Sequence, residues 1–404
     1  MVKTRRPAQI VAVRLINAAE VRNYLGEEKY VDYLIKYVTP ILKFAKAEKT
    51  NCEVFCEISG SIYVIIEDAM YDVQSVFARV LSLIEAETKN IEQTGAKFVP
   101  RACLIRYPDD LSTQDEILFL GREFAQIVPY DMVFSKASEV VKSRAYIISS
   151  NIDSILSRAI TDRKFEVYYQ PIYSVKEQRF VSAEALLRLT DEKHGNIPPS
   201  VFIPFAESRG LILPVGDIVL ESVFHLVSTL DMEGLGLSFI EINLSIAQCI
   251  QKDFPAKVKE LEEKYGVSAK NINFEITETM YEDLSSIVHS NIKQLKDMGY
   301  AISLDDYGVG YSNIHRILKL PLRIVKIDKS LVDGLSTASG FSIFKNTVNM
   351  LKDIELELVV EGVETKHLLD QALAMDCDYI QGFYFSKPIP EHEFIDFLRK
   401  NNKA

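Results

Sequence analysis

From Phe165 onward the chain alternates short apolar strands with helical stretches, and this rhythm restricts its fold more than any other feature. Eight strands are legible: FEVYYQPIY, VSAEALLRL, SFIEINLS, INFEITET, YAISLDD, RIVKIDKS, LELVVEGVE and YIQGFYFS. The connections are long or helical in pattern, and between the fourth and fifth strands Val288, Ile292, Leu295 and Met298 make a single apolar stripe. Strand number and connection length together predict an α/β protein, a (β/α)8 barrel of the TIM type. The first connection is the exception, because SVKEQ is far too short for the crossover that parallel neighbours require. The first strand is therefore predicted to run antiparallel to the second.

Barrels of this kind assemble their sites at the carboxyl ends of the strands. There the sequence places Glu184 and Arg188, Asn243, Glu275 with Glu278, Asp305 with Asp306, Lys326, Glu361 with Glu364, and Gln381. So many carboxylates around one rim repel one another unless cations compensate them. The stretch ISLDDYGVGYSN poses the problem most sharply, since Asp305 and Asp306 adjoin where an apolar strand runs into a Gly-x-Gly loop. Neighbours on a regular strand face opposite ways, so the two converge only if the strand ends between them and the chain turns, for which Gly308 and Gly310 are suited. Glu184, Leu186 and Arg188 lie at spacing two and are expected to share a face, the carboxylate suiting a metal and the guanidinium fork a phosphate. Every candidate ligand is an oxygen donor, which points to Mg²⁺ or Mn²⁺ rather than zinc. A carboxylate shared between two ions about 3.5 to 4 Å apart is the arrangement used to displace phosphate esters, and Asp305 is the candidate bridge.

With 404 residues, 48% of them hydrophobic and 25% charged, the chain suits two globular domains. Its net charge of −11 argues against a nonspecific grip on a nucleic-acid polymer, which needs clustered Lys and Arg. Five cysteines without a C-x-x-C pair argue against a disulfide framework or zinc knuckle and for reduced thiols in the cytoplasm. The start, MVKTRRPAQ, leads straight into a strand without the apolar core of a signal peptide, and no stretch reaches the roughly 18 apolar residues of a membrane span. A cytoplasmic protein, or the cytoplasmic part of a longer one, is the expectation.

Ahead of the barrel the rhythm differs. A strand (QIVAVRLI), a helical stretch from Tyr30 to about Ala47 and two strands around the turn of EVFCEISGSIYVIIED come first. A helix from about Asp72 to Glu87, a strand near FVPRACLIRY and a helix after Asp115 complete an α+β unit over residues 1–145. Residues 146–163 read as a helical linker, because Ile152, Ile155, Leu156 and Ile160 recur at helical spacing, and the barrel occupies 164–404.

The motifs EALLR, NLSIAQ, FEITET, DDYGVGYSN, VKIDKS, VEGVET and QGFYFSKP resemble, in order and spacing, the EAL-domain phosphodiesterases of bacterial cyclic di-GMP signalling, over about residues 155–404. Members of that family are barrels with a reversed first strand. The resemblance implies one metal held by Glu184, Asn243, Glu275 and Asp305, and a second between Asp305 and Asp306 with Glu361 as ligand or proton acceptor. It implies that Lys326 orients the attacking water and neutralises phosphoryl charge, and that Gln381 positions water or groups bound to metal. Gln170, Leu186 and Arg188 would hold the ligand, with Phe205 and Tyr384 as candidate guanine contacts, and Glu278 would prop the loop after Asp306. Glu364 reads as the cap of the following helix. The implied reaction is hydrolysis of cyclic di-GMP to linear pGpG with two Mg²⁺ or Mn²⁺ ions, in a homodimer whose contact lies near that loop. Family members usually carry DDFGTG, whereas this chain has Tyr307 and Val309, and Val removes a hydroxyl that holds the loop in shape.

The first half resembles a degenerate GGDEF domain, with its ferredoxin-like α+β layout. The hairpin turn reads Ser59-Gly60-Ser61-Ile62-Tyr63 without the signature carboxylates, and Arg14-Leu15-Ile16-Asn17 offers no Asp for a nucleotide's metal. The inhibitory Arg-x-x-Asp is replaced by Thr50-Asn51-Cys52-Glu53, so cyclase chemistry is not expected. Two functions compete for the barrel: a phosphodiesterase, and a catalytically silent receptor for the same dinucleotide. Receptors usually lack some of the carboxylates, and this chain keeps the set.

Overall fold

The computed structural model describes residues 7–47, 52–67, 98–128, 134–277, 286–308 and 320–402, together with residues 78, 82, 83 and 317. Contacts divide the chain into two compact units, Met1–Ile152 and Asp153–Ala404. The divide falls within one helix, Arg144–Thr161, the stretch whose spacing marked it as a linker.

The first unit contains β1 (Ala8–Leu15), α1 (Ala18–Leu25), α2 (Glu27–Ala47), β2 (Cys52–Cys56), β3 (Ser61–Ile66), β4 (Pro100–Tyr107), α3 (Gln114–Ile127), β5 (Phe134–Lys136) and α4 (Ala137–Val140). Its strands lie in the order β2-β3-β1-β4-β5. The first four are antiparallel to their neighbours, the ferredoxin-like arrangement, and β5 is added parallel to β4. Alternation along β1 explains why both faces are covered: Val11, Val13 and Leu15 pack with Tyr30, Tyr37 and Ile41 of α2, while Ile10 and Ala12 pack with Leu120 and Phe124 of α3. A capping box begins α3, with Thr113 Oγ1 accepting from Glu116 N at 3.2 Å and Glu116 Oε2 accepting from Thr113 N at 2.9 Å. The helix expected from Asp72 to Glu87 lies largely outside the described residues. Helix α1 escaped the sequence reading because only Gly26, at φ +77, separates it from α2.

The second unit begins within α5 (Arg144–Thr161) and is a closed barrel. Its strands are β6 (Phe165–Ser174), β7 (Arg179–Asp191), β9 (Phe239–Asn243), β10 (Ile272–Thr277), β11 (Ala301–Tyr307), β12 (Ile324–Ile327), β13 (Glu357–Val360) and β14 (Tyr379–Ile380). They pair in that order, and β6 closes the ring by lying antiparallel to both β7 and β14. The reversed first strand expected from the short SVKEQ link is thus present. Two short strands, β8 (Gly195–Ile197) and β15 (Ile389–Pro390), extend the sheet beside β7 and β6. Outside run α6 (Pro199–Ser208), α7 (Ile212–Thr229), α8 (Ile246–Cys249), α9 (Phe254–Tyr265), α10 (Ser286–Asp297), α11 (Lys329–Asp333), α12 (Ala338–Asp353), α13 (Lys366–Leu373) and α14 (Glu391–Asn401).

Outward-facing Ile240, Ile242, Phe274, Ile302 and Leu358 meet the helices in one core, where Phe274 lies 5.1 Å from the Tyr300 ring. Among the described residues, α7 alone passes a test of length and mean hydropathy for a membrane span, although Asp217, Glu221 and His225 interrupt its apolar run. Its Leu220, Val223, Phe224 and Leu226 are buried in the barrel core, which accounts for that composition. No disulfide joins the five cysteines.

Beyond β14 the chain turns at Gly382, which is pressed against the Val363 backbone while Tyr384 N donates to Val363 O at 3.0 Å. A Cβ at Gly382 would overlap the carbonyl oxygen and the nitrogen of Val363, neither of which can swing aside. Gly382→Ala is expected to destabilise the protein by about 3 kcal/mol, read as a lowered urea midpoint at unchanged slope.

Candidate active site

Side chains two apart on a strand share a face, and the barrel uses this to fill its interior with polar groups. Glu241 and Asn243 on β9, Asn273 and Glu275 on β10, and Ser303 and Asp305 on β11 follow that spacing, flanked by Glu184 on β7 and Lys326 on β12. Across the ladders Glu184 stands beside Gln170 of β6 and Glu241 of β9, and Asn243 beside Glu275.

Lys326 is the hub, with no exposed surface. Its Nζ lies 2.8 Å from Glu275, 2.9 Å from Glu361, 3.1 Å from Glu184, 3.5 Å from Asp305 and 3.9 Å from Glu241. Amides fill the remaining directions. Asn243 Nδ2 donates to Glu184 Oε1 at 2.8 Å, and Gln381 Nε2 donates to Glu184 Oε2 at 2.7 Å and to Gln170 Oε1 at 3.2 Å. Deeper in the barrel Asn273 Nδ2 donates to Glu241 Oε1 at 2.8 Å and to Ser303 Oγ.

Several carboxyls thus share one ammonium. Burial opposes the Lys326 charge, but Asp305, Glu184, Glu275 and Glu361 outweigh it and hold the ammonium pKa well above its ordinary value. Burial also opposes ionisation of Glu184, yet Lys326, Gln381 and Asn243 keep its pKa below the usual one. The rest are left short of positive charge. Burial and then Glu241 push Glu275 well up, burial raises Glu241, and burial with Asp305 and Glu184 drives Glu361 to about 8 despite Lys326. Glu275 Oε2, Asp305 Oδ1 and Gln381 Oε1 are buried and accept no hydrogen bond. An oxygen-only donor set with spare acceptors and excess negative charge fits a hard divalent cation. Among the described residues, however, no three His, Cys, Asp or Glu stand ready as a cage, because these carboxylates converge on Lys326 Nζ instead.

A family model described as "EAL domain" matches residues 153–388. The chain belongs to the EAL-domain family. It is similar to the oxygen sensor protein DosP of Escherichia coli K12, at 31% identity over 66% of this chain and 33% of the relative. Similarity to the cyclic di-GMP phosphodiesterase NbdA of Pseudomonas aeruginosa runs at 25% identity over 91% of this chain and 47% of that one. The chain spans between 31% and 47% of the length of the curated relatives it matches. Among solved structures, the PaMucR phosphodiesterase in complex with c-di-GMP is 28% identical, with a TM-score of 0.57 over 60% of this chain and 99% of that one.

Other EAL-domain expectations meet the structure unevenly. Strand β11 does not end between the two aspartates; it continues to Tyr307, with Asp306 in the left-handed region at φ +57 and the register to β12 shifted between Leu304 and Tyr307. That kink replaces the expected turn. Asp306 is exposed and forms no ion pair with Lys326, though partial burial and Asp305 beside it raise its pKa to about 6. Gln170 is buried opposite Glu184, and its Nε2 donates to Ser386 O at 3.2 Å. Arg188 makes no ion pair with Glu184 among the described residues; Nη1 donates to Leu187 O at 2.9 Å and the guanidinium lies 5.5 Å from the Tyr168 ring centre. Leu186 and Arg188 line a cavity of about 340 Å³ that reaches Glu184 and Asn243. Phe205 is buried in α6, whereas Tyr384 is exposed. Glu364 is no cap: it pairs with Lys329 at 2.6 Å, and Thr365 caps α13. Glu278, Val309 and Gly310 lie outside the described residues.

The sequence reading missed Glu241, Asn273 and Ser303. Extending the spacing-two rule one step back from Asn243, Glu275 and Asp305 would have found all three.

The raised carboxyls make metal-free stability depend on pH. A carboxyl whose folded pKa lies above its ordinary 4.5 contributes stability present below that value and lost as pH rises through the folded pKa, here about 8 for Glu361. In EDTA the melting temperature is expected to fall between about pH 5 and 8.5, and Mn²⁺ is expected to restore most of the loss. Thermal scans at both pH values check this, and a flat profile in EDTA contradicts it.

Proposed function

We propose that this chain is a metal-dependent phosphodiesterase that hydrolyses cyclic di-GMP to linear pGpG. The observation that carries the reading is the buried Lys326 within reach of Glu184, Glu275, Asp305 and Glu361, every one a residue of the family motifs. In this reading Glu184, Asn243, Glu275 and Asp305 would hold one ion, and Asp305, Asp306 and Glu361 a second. Bound there, Mg²⁺ or Mn²⁺ supplies Lewis acidity and a lowered water pKa.

The chain's own groups do the remainder. Water adds to phosphorus, the P–O3′ bond breaks, and the freed O3′ leaves as a hydroxyl. Glu361, with its raised pKa, is suited to take a proton from the water. Lys326, held charged, is suited to orient that water and to balance charge gathering on the phosphoryl oxygens. Arg188 offers the fork that matches phosphate, Leu186 an apolar wall and Gln170 an amide. Gln381 fixes the Glu184 carboxylate.

A second reading is a silent receptor for the same dinucleotide, in which the carboxylates stay gathered on Lys326. Within either reading the barrels pair as homodimers in the cytoplasm, and the first unit is a GGDEF-like module without cyclase chemistry, supported by its ferredoxin-like strand order.

Incubation with cyclic di-GMP and Mn²⁺ or Mg²⁺ is expected to yield pGpG, with Glu184→Ala lowering the rate by about a thousandfold. Saturable binding without product supports the receptor. Lys326→Met is expected to leave binding measurable and the rate lowered by about a hundredfold or more.

A further inference from the structure

Five carboxyl groups surround Lys326 Nζ, and four of them, Glu184, Glu275, Asp305 and Glu361, are the donors that the proposed function assigns to metal ions. Glu241 is the fifth, with Oε2 at 3.9 Å. It lies outside the motifs that carry the family resemblance and has no part in the chemistry derived above.

Its place on the strand explains the difference. Glu241 precedes Asn243 by two residues on β9, so it enters the same interior one side-chain repeat deeper, about 6 to 7 Å at the rise of a strand. It is only 1% exposed. Its Oε1 accepts from Asn273 Nδ2 at 2.8 Å, and the same amide donates to Ser303 Oγ, so β9, β10 and β11 together fix the carboxyl from the deep side of the ring. Oε2 is left buried without a hydrogen bond.

A buried carboxyl with an idle oxygen is costly, and packing alone gives no reason to keep one. Among the described residues, Lys326 is the cation paired with it. Oxygens that serve a metal ion and an ammonium at once divide their attraction between two positive charges. Of the five groups around Nζ, Glu241 alone is spared that division.

We infer that Glu241 is a positioning residue: anchored by Asn273, it holds the Lys326 ammonium in place once the other four carboxylates are shared with metal ions. The effect on rate rests on reading the barrel as a phosphodiesterase, whereas the hold on Lys326 does not.

Glu241→Gln keeps the size of the side chain and an oxygen for Asn273 while removing the charge. Its kcat for cyclic di-GMP is expected to fall about tenfold or more, with KM and the Mn²⁺ requirement unchanged, a split that loss of folded protein does not produce. The second readout is a proton–nitrogen correlation spectrum of the full chain with Mg²⁺ and isotope-labelled lysine, in which Lys326→Met identifies the Lys326 ammonium. Glu241→Gln is expected to shift that signal, and Glu241→Asp, which withdraws the carboxyl, covers the case in which the Gln variant folds poorly. A shifted signal with no pGpG from the unmodified protein supports the hold on Lys326 and sinks the phosphodiesterase reading alone. A signal unmoved in both variants, an unreduced kcat in Glu241→Gln, or a raised Mn²⁺ requirement at unchanged kcat, which would make Glu241 a ligand, would each overturn the inference.

Discussion

An ammonium with no exposed surface is tolerable only where negative groups surround it, and Lys326 sets that condition for the whole barrel. Its partners come from β7, β9, β10, β11 and the end of β13, so the strands must close at the right stagger for the charge to be neutralised. Closure depends in turn on β6, which runs backwards and still presents Gln170 to the ring through Gln381. Apolar packing outside the strands supplies the favourable free energy of folding. The polar interior contributes little net stability by the same reasoning, since replacing such clusters with apolar groups is often neutral or stabilising. Its persistence here argues for a chemical purpose.

The electrostatic imbalance has a definite direction. One ammonium satisfies Glu184, whose pKa is lowered, and leaves Glu241, Glu275 and Glu361 with raised pKa values. Protons and divalent cations are thus alternative partners for the same oxygens. Asp306 adds to this at the rim, where a left-handed backbone turns it off the regular strand direction and beside Asp305. A non-glycine residue at positive φ is strained, and such strain recurs where backbone is bent for a site.

Much of this was legible from residue order. Strand period, connection length and the too-short SVKEQ link specify the barrel and its reversed strand, because each rests on geometry that tertiary context cannot override. Motif residues Glu184, Asn243, Glu275, Asp305, Lys326, Glu361 and Gln381 do meet in one ring. What escaped depends on side-chain direction. Nothing in the string DDY announces that Asp306 takes φ +57 and lets the strand continue. Glu364 carried a plausible capping role that Thr365 and a neighbouring lysine take away. Glu241 was overlooked because a carboxylate in the middle of an apolar strand reads as outward-facing until the inward positions are counted.

In the barrel, carboxylates outnumber the single lysine they share. That arrangement is disfavoured by its own Coulomb terms, and folding alone gives no reason to keep it. A cluster of one sign with restricted access to water lowers its energy by taking up a counter-ion, and the donor chemistry decides which. Carboxylate and amide oxygens select hard cations.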